Sequence, residues 1–229
     1  MARDKHQAEA YAPDPHGWYQ EDRSCVEQLF DAIEFGDDLI WDPSCGTGNI
    51  LNVARDRGHP VVGSDIIMRG CRHEWFRANF LTQTKYPRCA GRRLSIVCNP
   101  PFNTPPGSGL AFMLRAIEHV PFRRAAFVVP LAFLCGQDRY DDLFSKHRPS
   151  HVAYCSQRPS MPPGTFLEEH GEESRKGGKN DFVWIVFSAG GPYRTESIWL
   201  KPDRVAETPS DRRLRRGSQP PSASANQRK

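Results

Sequence analysis

What the sequence lacks sets the first bounds. Of its 229 residues only seven are Cys (Cys25, Cys45, Cys71, Cys89, Cys98, Cys135 and Cys155), an odd number with no Cys-x-x-Cys and no paired Cys/His spacing. That excludes a disulfide-stapled miniprotein and a zinc site of the usual spacing, and no metal is expected. No run of about 18 apolar residues occurs, so no segment reads as a membrane-spanning helix, and the first residues lack the apolar stretch of a secretory signal. Reduced thiols in a cytoplasmic protein are the expectation. Charge of one sign is scarce as well: the net charge is +4, and 203–229, with seven Lys and Arg against three acids, carries all of it. The basic balance therefore describes a tail more than a nucleic-acid-binding surface.

Hydrophobic residues are also few, 38% against the roughly 45–50% of ordinary globular chains. Together with 20 prolines this places part of the length outside a folded unit. The sequence predicts a loose arm over 1–17, one folded unit over 18–201 and a basic tail over 202–229. The middle alternates. Helical spacing of apolar residues appears over 21–34, 49–57, 110–120 and 138–147, and short β-branched runs at 39–42, 60–65, 94–98, 124–130, 151–155 and 181–187 read as buried strands. Residues 198–200 add a short last strand. That order predicts an α/β fold with a Rossmann-like sheet, mostly parallel with an antiparallel terminal strand, and helices on both faces. Between the last two long strands, 156–180 is too long and too rich in Pro, Gly and charge for an ordinary connection, which marks it as a loop for substrate contact.

In such a sheet ligands bind beyond the carboxyl ends of the strands. Asp42 ends the first strand, and Gly46-Thr47-Gly48 follows as a turn without β-carbons that opens a helix. A bare Gly-x-Gly is more often an ordinary turn than a cofactor loop, and Leu51 stands where a dinucleotide fingerprint needs its third glycine. Asp65 ends the next strand, 17 residues beyond Gly48, where a carboxylate can accept both hydroxyls of a ribose; alone it would equally suit a helix N-cap. Asn99-Pro100-Pro101-Phe102 ends a buried strand. Two prolines must stop the ladder there and hold Asn99 in a rigid turn. The Asn99 amide oxygen and the Pro100 carbonyl could then accept both hydrogens of an exocyclic amine, with Phe102 offering a face to a planar base.

Taken together, these residues resemble the class I S-adenosylmethionine-dependent methyltransferases, specifically those acting on the amine of DNA adenine through an Asn-Pro-Pro-Phe motif. The resemblance spans most of 18–201. It makes Asp42-Pro-Ser-Cys45-Gly46-Thr-Gly48 the cofactor loop, Asp65 the ribose acid, Asn79-Phe80 the pair beside the cofactor adenine in place of the family's usual Asp-Phe, and Trp18-Tyr19-Gln20-Glu21 the leading cofactor motif, with Tyr19 a contact. Gln157 to Met161 and Lys179 to Trp184 resemble small phage and prophage adenine methyltransferases. The charged loop with Arg158, Lys176 and Lys179 could guide a DNA phosphate backbone, although charged loops are more often just solvated. The implied reaction is methylation of adenine N6 in double-stranded DNA, with the base flipped out of the stack and Asn99, Pro100, Pro101 and Phe102 as the catalytic turn. No large recognition domain has room in the chain. Two other readings stay open: the same chemistry on RNA adenine or on a protein glutamine, and a silent nucleic-acid-binding subunit that keeps only the fold. Trp41, Phe182, Trp184 and Phe187 read as core, and Cys45 as shaping the loop backbone rather than as a reactive thiol.

Overall fold

The computed structural model describes residues 17–102, 107–175, 177–191 and 194–202. The arm expected over 1–17 and the tail expected over 202–229 lie outside the described residues except at Gly17 and Pro202. The β-branched runs form strands β1 (Leu39–Asp42), β2 (Val61–Asp65), β3 (Trp75–Arg77), β4 (Leu94–Cys98), β5 (Arg124–Pro130), β6 (His151–Cys155), β7 (Phe182–Ser188) and β8 (Glu196–Leu200). They join in one sheet of eight, ordered β3-β2-β1-β4-β5-β7-β6-β8. The five strands from β3 to β5 run parallel. The expected antiparallel strand is β7, which lies inside the sheet between β5 and β6, while β8 continues the edge parallel to β6.

The strands alternate between two cores, as a period of two requires. Ile40, Val97, Ala126, Val128, Trp184 and Val186 pack on one face with helices α1 (Arg23–Ala32) and α2 (Asn49–Asp56). Trp41, Ile96, Cys98, Phe127 and Ile185 pack on the other with α3 (Ser108–His119). Trp41 and Trp184 are fully buried. Each indole N–H finds an acceptor, Ser64 Oγ at 3.1 Å and the Cys25 carbonyl at 3.1 Å, so burying these large rings leaves no donor unpaired. Helix α1 starts at Asp22, whose side chain accepts from the Ser24 amide at 3.0 Å.

Three elements differ from the sequence reading. β3 has only three residues at a half-exposed edge, too few for periodicity to register. The helix expected over 138–147 is a short α4 (Gln137–Arg139) running into one π turn, Tyr140–Phe144. The segment 156–180 is not a bare loop: it holds helix α5 (Gly164–His170) and the 3-10 turn Glu172–Ser174. Among the described residues no helix is long and apolar enough to cross a membrane.

Candidate active site

The strand registers bring the carboxyl ends of β1, β2, β4 and β5 to one edge, together with the end of β6 and the start of β7. At that edge lies a cavity of about 540 Å³. Of the residues named from the sequence, Tyr19, Asp42, Cys45, Gly46, Asp65, Asn79, Phe80, Asn99 and Pro101 line it.

The turn after β1 is built from inside. Asp42 accepts the Ser44 amide at 3.0 Å. Gly46 and Gly48 take φ of 50° and 90°, and a β-carbon at Gly46 would stand 2.6 Å from the Trp18 indole nitrogen, one at Gly48 2.8 Å from the Cys71 sulfur. Both positive φ and lack of room therefore call for glycine. Three amides of the turn are spent within the protein: Cys45 on the Ser64 carbonyl at 3.0 Å, Gly46 on Asp65 Oδ2 at 2.9 Å and Gly48 on the Cys45 carbonyl at 2.6 Å. They offer no cradle for a pyrophosphate. Cys45 packs its sulfur where a Gly63 β-carbon would stand at 2.7 Å, and the hydrogen-bonded Cys71 thiol together with burial pushes its own thiol up, which disfavours the nucleophilic thiolate.

Asp65 also accepts the Ile67 amide at 2.9 Å and Arg69 Nη1 at 3.0 Å on its other oxygen. The Arg69 guanidinium lies 4.6 Å above the Trp18 ring and lines the cavity. Asn79 is exposed, its side-chain oxygen accepting the Leu81 amide at 3.0 Å. Phe80 is buried against Trp41 and Phe112, with ring centroids at 5.4 and 4.4 Å.

Asn99 is tied on three sides. Its backbone carbonyl accepts Ser44 Oγ at 3.0 Å, which joins the turn after β1 to the turn after β4. Its side-chain nitrogen donates to the Tyr19 carbonyl at 2.8 Å and lies 3.3 Å from Glu21 Oε2. Pro101 is fixed by Ser108 Oγ, which donates to its carbonyl at 2.7 Å from the first residue of α3. Pro100, Phe102 and Gly48 do not line the cavity: Phe102 packs on the α3 face beside Gly109, and Gly48 supports the turn from behind. Arg158 is exposed and paired with Asp181 at 2.7 Å, and Lys179 is exposed nearby, both at this edge of the sheet but outside the cavity. Lys176, in the same basic loop, lies outside the described residues.

The electrostatics are lopsided. Glu21 and Asp42 are buried in the cavity wall, and among the described residues neither forms an ion pair. Burial raises the Glu21 carboxyl above its ordinary range, and burial with the charges of Glu21 and Asp65 raises Asp42 well above its own. Glu21 and Arg69 were not singled out from the sequence as site residues. The signal for Glu21 was its place in the Trp18–Glu21 motif; for Arg69 the local signal was its place four residues after Asp65, with which it pairs, while its other partner, Trp18, lies on a distant segment. Residues 18–21 reach the site because the segment after β6 holds them: Gln20 N donates to the Pro162 carbonyl at 3.0 Å, Gly164 N to the Trp18 carbonyl at 2.9 Å, and Arg175 to the Gln20 carbonyl at 3.0 Å.

No protein-family model and no curated protein matches the sequence. Solved structures do match. A candidate RNA methyltransferase of Pyrococcus horikoshii is 14% identical with a TM-score of 0.52, over 72% of this chain and 83% of that one. A type I restriction-modification methyltransferase subunit of Streptococcus thermophilus is 15% identical with a TM-score of 0.51, over 82% of this chain and 47% of that one. The modification subunit of a candidate type I restriction enzyme of Vibrio vulnificus is 17% identical with a TM-score of 0.50, over 84% of this chain and 49% of that one. The chain thus spans about half the length of the two modification subunits. At these identities the similarity is one of architecture, and with the strand order above it establishes that the chain has the Rossmann-like fold of the class I methyltransferases.

Proposed function

We propose that this protein transfers the methyl group of S-adenosylmethionine to the exocyclic N6 amine of adenine in DNA. The observation that carries the reading is the joining of two turns in one cavity. Ser44 ties the glycine turn to the backbone of Asn99 at 3.0 Å, so the cofactor end and the amine end are held as one unit.

The residues fit the cofactor. Glu21 and Asp42 are carboxylates kept in a desolvating wall with no ion-pair partner among the described residues, which suits a ligand bearing an ammonium and a sulfonium. A dinucleotide would bring phosphates to the same acids and to a turn whose amides are already spent. Asp65 Oδ2, which accepts only the Gly46 amide, keeps one lone pair for a ribose hydroxyl, and Phe80, Ile66 and Leu81 supply apolar wall for an adenine ring. Bound there, S-adenosylmethionine would supply an electrophilic methyl group.

The chain's own part is to prepare the nucleophile. The N6 lone pair of adenine is delocalised into the ring, so the amine reacts only when acceptors hold its hydrogens and favour the tetrahedral form. With its NH2 turned to Tyr19 and Glu21, Asn99 has its side-chain oxygen left to accept one hydrogen; the Pro100 carbonyl is proposed to accept the other. Positioning and preorganised dipoles then do most of the acceleration. Pro101, pinned by Ser108, keeps the turn rigid. Phe102 is proposed to meet the flipped base, which from its packing on the α3 face requires the turn to shift on binding. Arg158 and Lys179 are proposed as phosphate contacts beside the cavity.

The fold neighbours include DNA-modification subunits and an RNA methyltransferase, so the fold alone does not choose the nucleic acid. Incubating the protein and S-adenosylmethionine with unmethylated duplex DNA, or with RNA, followed by nucleoside mass spectrometry, does. N6-methyldeoxyadenosine from DNA with the wild type, and none with Asn99→Ala, is the expected result. Methyladenosine from RNA alone would move the substrate, and no methylated base from either would overturn the reading.

A further inference from the structure

Methyl transfer as proposed needs the oxygen of the Asn99 carboxamide, and not its NH2, toward the target amine. The two ends are nearly the same size, and a half-turn of the last side-chain bond exchanges them. Nothing in the residue itself decides which end faces the cavity.

Two neighbours decide it. The Tyr19 carbonyl, 2.8 Å from Asn99 Nδ2, accepts and does not donate, and the Glu21 oxygen at 3.3 Å does the same while its carboxyl is ionised, so the NH2 end satisfies both. We propose that Glu21 is a positioning residue whose carboxylate, with the Tyr19 carbonyl, locks Asn99 with its oxygen toward the substrate amine. The significance of the lock rests on the methyltransferase reading; its existence does not.

The surroundings support this role. Glu21 is 6% exposed, and keeping an acid there without an ion pair opposes folding, which a purely structural position would avoid with an apolar residue. Its backbone is held as well: the Glu21 carbonyl accepts Asn49 Nδ2 at 2.7 Å, and the preceding residue is clamped by Arg175 and Pro162. A group that must aim another to within about half an ångström is expected to be supported in this way. The groups facing Glu21 are Asp42 from β1, Asn49 from α2, Cys25 from α1, Cys98 from β4, Asn99 from the turn after β4, and Arg175 from the segment after β6. Asp42 and burial oppose its charge, while Arg175 and the amides of Asn49 and Asn99 favour it.

The test uses the whole chain labelled with nitrogen-15, with the Asn99 side-chain amide signals identified by their loss in Asn99→Ala. In the wild type they should lie apart from exposed amides and move with pH around one midpoint above the ordinary glutamate range. In Glu21→Gln, which keeps shape and an acceptor, they should stay apart and stop titrating. In Glu21→Ala they should move to the solvent-exposed position, and kcat should fall roughly 10- to 100-fold while KM for DNA stays within about threefold. Asn99 signals indifferent to both substitutions, or an unchanged kcat in Glu21→Ala, would overturn the proposal. If the wild type methylates nothing, the functional reading fails, and the amide signals still decide whether Glu21 sets the side chain.

Discussion

The strand β1 has a buried acid at each end, Asp38 just before it and Asp42 at its last residue, and the protein treats them in opposite ways. Asp38 receives Arg123 Nε at 2.5 Å and Ser95 Oγ at 2.5 Å, with Arg93 at 3.5 Å. Asp42 receives the Ser44 amide, stands beside two further acids, Glu21 and Asp65, and has no ion pair among the described residues. At the amino edge the charge is neutralised by the chain itself and belongs to the architecture. At the carboxyl edge two buried acids, Glu21 and Asp42, have no ion pair among the described residues, which opposes folding of the empty protein and, under the proposed function, leaves a place for a cationic ligand. The same residue type, four positions apart, is paired by the chain itself in one case and left without an ion pair among the described residues in the other, where we propose a binding role.

The comparison can be broken hardest at the amino edge. Arg123→Ala strips Asp38 of its close partner and should cost about 3–5 kcal/mol of stability, the scale for breaking a buried pair, read as a lower urea midpoint with cofactor affinity unchanged. Loss of cofactor binding instead would show that the two edges are not separate in function. At the carboxyl edge, Asn99→Ala should lower kcat by roughly 10²–10³, leave the urea midpoint near that of wild type, and leave cofactor affinity within a few-fold in calorimetry.

Asp42→Asn sharpens the contrast because its two effects have opposite signs. It should weaken cofactor binding by roughly 10- to 100-fold, about 1.4–2.7 kcal/mol, while leaving the empty protein as stable or more so. The pH dependence follows the raised carboxyls. The unfolded chain loses these protons near the ordinary values of 3.8 for Asp and 4.5 for Glu, the folded one at higher pH. Between those limits the folded state binds more protons, so stability is greatest below the unfolded values and falls as pH rises through the folded ones. Affinity for a cation rises over the same window. Urea melts of wild type and Asp42→Asn across that range should differ in slope, and identical slopes would remove Asp42 from the account.

The smallest effect is expected at the rim. Arg158→Ala breaks an exposed pair with Asp181 and should change stability by at most about 1 kcal/mol. As a phosphate contact it would flatten the salt dependence of DNA binding by a slope of about one. An unchanged slope would leave Arg158 merely solvated.

How much of this could be read in the sequence follows the range of the interactions. The sheet strands, the glycine turn, Asp65 and the Asn-Pro-Pro turn were legible because each is a local pattern: an apolar run with its terminator. β3 was not, being three residues at an edge. The segment 156–180 read as a loop because its helix is seven residues long, follows two prolines and is fixed by pairing with residues 18–20, more than a hundred positions away. Glu21 and Arg69 were overlooked for the same reason. Glu21 takes its meaning from Asn99 and Arg69 from Trp18, both far off in sequence; only the four-residue spacing of Asp65 and Arg69 is local. Phe102 follows Asn99 in sequence, yet its ring packs on the α3 face, a contact with Gly109 that its place in the motif does not reveal.

The most direct test of the central claim, that the carboxyl edge is built for a cationic cofactor, is calorimetric titration of the purified protein with S-adenosylmethionine and, in parallel, with NAD. The account predicts saturable binding of S-adenosylmethionine at one site, lost or strongly weakened in Asp42→Asn, and no binding of NAD. Binding of NAD with none of S-adenosylmethionine at millimolar concentration would contradict it.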